Sequence, residues 1–196
     1  MLTARLGSPA ILQTDPTCNP PSIGLPRDAS ALRQFVATYR DTILGPQELP
    51  FIIRARELAA EGCARELIQL DADWGATAHA RPFAEASLAV GRRQLSRLRP
   101  LRDQRVVQRY AAAVEAGQAK GWHVIVYGMA LAIFSVPLRP GLHHYATLTQ
   151  ESFIDQTPNT ARLTDSDKAA LKQELGAALP ALLQEAVPNQ SLLRVV

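Results

Sequence analysis

The sequence predicts an all-α, single-domain helical bundle with one buried central helix. Apolar residues recur at intervals of three and four along most of the chain, as in amphipathic helices. No segment keeps the period of two that a strand requires: "HVIVYG" contains strand-forming residues, but its apolar continuation through "MALAIF" favours a helix. A helix that is apolar on every side must be covered on every side, so residues 122–134 are the predicted centre of the bundle.

The first helix is predicted to follow an irregular arm, residues 1–27, which is rich in proline. Proline lacks an amide donor and clashes with the preceding turn, so this arm cannot form a long helix. Asp28 or Ser30 is placed to cap the helix that follows, and Gly45-Pro46 is expected to end it. One apolar stripe defines its buried side: Leu32, Phe35, Val36, Tyr39 and Ile43.

The later helices are delimited by glycine, proline and capping residues. The predicted ranges are 47–61, 64–77, 82–98, 103–116, 122–134 and 142–155, followed by a last helix that begins near Thr164 or Ser166. Gly176 and Pro180 weaken this last helix and predict a kink or a split. The bundle is thus expected to span residues 28–187, with residues 188–196 as a tail.

Composition excludes several classes of protein. The formal charge of +3 is too small to indicate nucleic-acid binding. Cys18 and Cys63 are isolated, so they give no zinc or redox spacing and are expected to be small buried residues. The apolar segment ends at Pro137 and is barely long enough to cross a bilayer, which predicts no membrane association. The first 15 residues lack the apolar stretch of a secretory signal, so a cytoplasmic location is expected.

No pattern of catalytic residues, cofactor-binding loop or metal ligands stands out. His143 and His144 are adjacent, so on a helix their side chains diverge by about 100° and cannot chelate one ion together. The sequence therefore predicts no enzyme activity, no cofactor and no bound metal. An alternative stays open, namely an all-α enzyme whose pocket uses His123, Tyr127 and His144. The basic run "RLRPLRDQR" is either a solvated face or a docking face for an acidic partner.

The order of segments resembles that of the UreF family of urease accessory proteins. The resemblance covers roughly residues 26–187 and is carried by "LPFIIRARELA", "LDADWGATAHARPFAEASLAVGRRQL", "GWHVIVYGMALAIFSVP", "HHYATLTQESF" and "ARLTDSDKAALKQELGAALPALLQEA". Ala86-Ser87, Gly91-Arg92-Arg93, His123 and Gly128 occupy positions that match the family's motifs. The chain departs from the family where "LQTDPTCNPPSIGLPRD" replaces a glycine-rich opening segment and where "DQTPNT" interrupts a helix of small residues.

The resemblance implies a non-enzymatic scaffold or regulator. Such a protein joins a UreD/UreH-like protein and the GTPase UreG in nickel delivery to apo-urease, and it tends to form a homodimer. Partner contacts are expected at Arg92, Arg93 and Arg162, whereas His123 and Gly128 are expected to be structural. Gly128 would let a neighbouring helix approach closely, and His123 would cap or hydrogen-bond at the start of its helix. A diverged paralogue with other protein partners is the second alternative.

Overall fold

The computed structural model describes residues 28–77, 83–157 and 163–187, and these residues form helices and turns with no strand. The all-α prediction is therefore confirmed. The predicted arm (1–27) and tail (188–196) lie outside the described residues. The helices are α1 (Ala29–Tyr39), a π-helix (Arg40–Glu48), α2 (Leu49–Ala60), α3 (Ala64–Ala76), α4 (Ala84–Leu98), α5 (Arg105–Glu115), α6 (His123–Ile133), α7 (Leu138–Asp155), α8 (Asp165–Gly176) and α9 (Leu179–Ala186).

The described helices belong to two compact units. Unit 1 comprises residues 51–138, from most of α2 through α6. Unit 2 combines residues 28–50 with the described residues from Arg139 onward. It contains α1, the π-helix, α8, α9 and nearly all of α7. In unit 1, α4 packs along α6, while α3 packs against both α5 and α6. In unit 2, α1 packs against α8, and α9 packs against the π-helix.

Helix α6 is the buried helix that the sequence predicts. Every residue from His123 to Leu131 is buried, whereas the other helices of unit 1 each carry an exposed face. Among the residues that the structure describes, no helix is long and apolar enough to cross a membrane.

Gly128 lies where α6 packs directly against the backbone of α2. A Cβ atom at Gly128 would overlap the carbonyl oxygen of Ile52 and would stand 2.7 Å from the Cβ of Ala55. The obstacle at Ile52 is main chain, so it cannot move aside as the end of a side chain could. Glycine is therefore needed here for helix packing.

The predicted break at Gly45-Pro46 is absent, because the chain continues from α1 to α2 through the π-helix. The ring of proline clashes with the preceding turn of a regular helix, and a wider π turn gives the ring of Pro46 more room. The wider turn also moves the buried side of the helix by one residue along the sequence. Leu44 is fully buried, while Ile43, which the 3.6-residue period places in the stripe, is only half-buried.

The other helix ends follow from local capping. Asp28 caps α1 by accepting a hydrogen bond from the Ala31 amide at 2.8 Å. Helix α7 begins at Leu138, before the predicted residue 142, because Pro140 fits the first helical turn, where no amide donor is needed. Thr164 and Asp167 form a capping box at α8. The predicted split near Gly176 and Pro180 separates α8 from α9.

We expect Gly128→Ala to destabilise the protein by about 1–3 kcal/mol, because the added methyl group would overpack the contact with Ile52. Gly176→Ala is the control, since a Cβ at Gly176 meets nothing within 4 Å. This control should leave stability unchanged or raise it by up to about 1 kcal/mol. Chemical denaturation of both variants measures the difference. Equal stabilities would contradict a close contact at Gly128.

Candidate functional site

A buried carboxylate organises unit 1. Asp71 lies in α3 with no exposed surface. Its carboxylate accepts a hydrogen bond from the Tyr110 hydroxyl at 2.6 Å and from three successive amides, those of Lys120 at 2.6 Å, Gly121 at 3.0 Å and Trp122 at 3.2 Å. Successive amides that point at one anion form a backbone nest. Gly121 permits this nest because its φ is +81°, a backbone conformation that glycine adopts readily and that residues with a side chain rarely adopt.

Ser87 and Gly91, both on α4, contact the residues at the start of α6. Ser87 Oγ accepts a hydrogen bond from the His123 amide at 3.3 Å. One turn later, a Cβ at Gly91 would overlap the carbonyl oxygen of Gly121 and lie 2.7 Å from the His123 nitrogen. Ser87 and Gly91 therefore face inward and dock α4 on the turn before α6. The hydrogen bond to Ser87 at the start of α6 is donated by the main-chain amide of His123.

The three arginines expected to contact partners occupy different settings. Arg92 and Arg93 are both exposed on α4. Arg92 Nε donates a hydrogen bond to the Lys120 carbonyl oxygen at 3.0 Å, so this side chain also steadies the turn before α6. Arg162 lies outside the described residues. Arg92 therefore has a role within the fold.

His123 and Tyr127 form an aromatic pair one turn apart on α6. Their ring centroids are 5.7 Å apart in an edge-to-face arrangement. Burial lowers the pKa of His123 to about 4, so its imidazole is neutral near pH 7. Burial also raises the pKa of Tyr127. Both rings therefore behave as core residues in their uncharged forms.

His144, the third residue of the enzyme alternative, belongs to unit 2, whereas His123 and Tyr127 belong to unit 1. His144 is half-buried, and burial is the main cause of its lowered pKa, followed by the neighbouring His143. Among the described residues, no group of three or more His, Cys, Asp or Glu side chains could hold a metal ion. Cys63 is a free thiol that is half-buried, not fully buried as predicted, and Cys18 lies outside the described residues.

A second buried carboxyl group lies in unit 2, at the end of the π-helix. Glu48 is 7% exposed, and its Oε2 accepts hydrogen bonds from the hydroxyls of Tyr39 at 2.6 Å and Tyr145 at 3.1 Å. Burial raises the pKa of Glu48 to about 7, although both hydrogen bonds oppose this shift. Phe153 packs edge-on against Tyr39 at 4.9 Å and keeps the cluster apolar.

With a pKa of about 7, Glu48 can bind and release a proton near neutral pH, which makes the cluster a candidate proton-binding site. Sequence reasoning missed it because Glu48 lies in a segment assigned to a new helix. The available signal was the apolar stripe itself: Glu48 falls four residues after Leu44 and four before Ile52, both of which are fully buried.

Comparison with known families identifies one match. The UreF family model matches residues 27–156, which is more than half of the chain and includes α1 through α7. No curated protein and no solved structure gave a significant match. The closing segment after residue 156, which resembles the family in sequence order, lies beyond the matched range.

Replacement of Glu48 by glutamine should remove a pH dependence of stability. The folded-state pKa of Glu48 is about 7, above its ordinary value of 4.5. The folded protein holds the proton of Glu48 more tightly than the unfolded chain does. The stabilisation is therefore complete below pH 4.5 and is lost as the pH rises through 7. Glutamine mimics the protonated form, so Glu48→Gln should be more stable than the wild type at about pH 8 by on the order of 1–3 kcal/mol, and similar to it near pH 5.

Thermal melts across this pH range test the expectation. Glu174→Gln is the control, because Glu174 is an exposed carboxylate of unit 2 that pairs with Arg33 at 2.7 Å. This surface pair should contribute little to stability. A Glu48→Gln variant whose melting temperature follows the wild type at every pH would show that Glu48 does not titrate in this range.

Proposed function

Because the chain belongs to the UreF family of urease accessory proteins, we propose that it is a non-enzymatic scaffold that joins a UreD/UreH-like protein and a UreG-like GTPase. The complex would deliver nickel to apo-urease, with nickel as cargo and with no cofactor held by this chain. The match over residues 27–156 is the observation that carries this proposal. A cytoplasmic homodimer is the proposed form of the protein.

Two structural observations support a scaffold over an enzyme. First, the buried carboxylate of Asp71 is used within the fold: Tyr110 and the amides of residues 120–122 donate four hydrogen bonds to it. Second, His123 and Tyr127 pack edge to face in the core, and burial favours the uncharged form of both rings.

Co-expression with the UreD-like and UreG-like proteins of the same source tests the proposal. We expect the three chains to co-purify through size-exclusion chromatography. Failure of the folded chain to retain either protein would contradict the scaffold and would favour the alternative, a diverged paralogue with other protein partners. The altered segment before residue 28 motivates that alternative, since the family's opening segment is glycine-rich.

Charge reversal should separate the partner-binding arginines from the structural one. Arg93→Glu and Arg162→Glu should each weaken complex formation about tenfold, because a charge at an interface acts mainly on association. Arg92→Glu should lower the melting temperature, because it removes the hydrogen bond to Lys120. Isothermal titration and thermal melts measure the two effects. Unaltered affinity in the folded Arg93→Glu or Arg162→Glu variant would remove that residue from the interface.

A further inference from the structure

The turn that joins α4 to α5 carries a concentrated positive charge. Residues 97–109 contain five arginines and one aspartate, a formal charge of +4. The whole chain has a formal charge of only +3, so the remaining residues are net negative by one. This segment is therefore the basic pole of a nearly neutral protein, and a local field of this kind steers charged partners.

All five arginines are exposed. We call four of them the arginine surface: Arg97, Arg102, Arg105 and Arg109. Arg105 and Arg109 are one helical turn apart on α5, on the side opposite its buried stripe. Arg97 lies in the last turn of α4, and Arg102 lies in the connecting turn. No described residue forms a hydrogen bond or an ion pair with the guanidinium group of any of the four.

The frame beneath the arginine surface is well fixed. Gln108 Nε2 donates hydrogen bonds to the carbonyl oxygens of Arg99 at 3.0 Å and Leu101 at 3.1 Å, which ties α5 to the turn. The fifth arginine, Arg99, pairs with Glu115 across the hairpin. The one local acid, Asp103, accepts a hydrogen bond from Gln104. The turn therefore needs none of the four exposed guanidinium groups for its own structure.

We propose that the arginine surface docks a carboxylate-rich surface of a protein partner. Guanidinium groups are planar and pair with carboxylates through two parallel hydrogen bonds, so four of them on a fixed frame suit an acidic protein face. Single-stranded nucleic acid is disfavoured because it needs exposed aromatic rings for stacking. The only aromatic residue from 91 to 120 is Tyr110, and it is buried and bonded to Asp71. The identity of the partner as a urease accessory protein rests on the proposed function.

A double charge reversal, Arg105→Glu with Arg109→Glu, tests the surface. The matched control is Arg54→Glu with Arg65→Glu, which makes the same change of charge at two exposed arginines of the same unit. Fluorescence anisotropy with labelled poly-L-glutamate, and separately with a short DNA duplex, measures binding by the full chain. Poly-L-glutamate should bind the control like the wild type and the Arg105/Arg109 variant at least about tenfold more weakly, with an affinity that falls as salt rises.

Two results would overturn the proposal: equal loss of poly-L-glutamate binding in both double variants, or tighter wild-type binding to the DNA duplex than to poly-L-glutamate. Circular dichroism and melting temperature verify that both variants fold. The same variants are then added to the accessory proteins. If the wild type retains the accessory proteins and the Arg105/Arg109 variant does not, the partner lies in the urease complex. If the wild type retains none of them, the proposed function fails, while the result with poly-L-glutamate still decides whether the surface binds acidic protein.

Discussion

The buried carboxylate of Asp71 is the interaction on which unit 1 depends. A carboxylate without exposed surface is stable only if several donors replace the water that it loses. Tyr110 on α5 supplies one donor, and the amides of residues 120–122 supply three. These bonds connect α3, α5 and the turn before α6 at one point. Asp71 therefore fixes the position of α6, the most apolar helix, and apolar packing supplies the remaining contacts.

The residues through which the chain resembles UreF proteins cluster around that same turn. Ser87 and Gly91 receive the start of α6, Gly121 adopts the backbone conformation that the nest needs, and Gly128 lets α2 approach. These residues therefore account for the fold that the chain shares with UreF proteins, and they do not by themselves indicate shared partners. The four guanidinium groups of the arginine surface take no part in these contacts.

Much of the fold could be predicted from local signals. The apolar run of α6, the cap at Asp28 and the capping motif at Thr164 each depend on neighbouring residues alone, and so they were visible in the sequence. The π-helix was not, because Gly45-Pro46 ordinarily ends a helix and only packing of Leu44 and Leu49 on the buried side favours continuation. Asp71 and Glu48 escaped prediction for another reason. The partners of Asp71 lie 39 to 51 residues away, and Tyr145 lies 97 residues from Glu48, so local patterns do not reveal these hydrogen bonds.

Hydrogen exchange at the amides of Lys120, Gly121 and Trp122 tests the central role of Asp71 most directly. These amides precede α6, and without the carboxylate they would exchange as freely as those of an ordinary turn. If Asp71 holds the turn, they should exchange as slowly as the core amides of α6 in the wild type, and Asp71→Asn should accelerate their exchange before it affects α6. Rapid exchange of all three amides in the folded wild type would contradict this account.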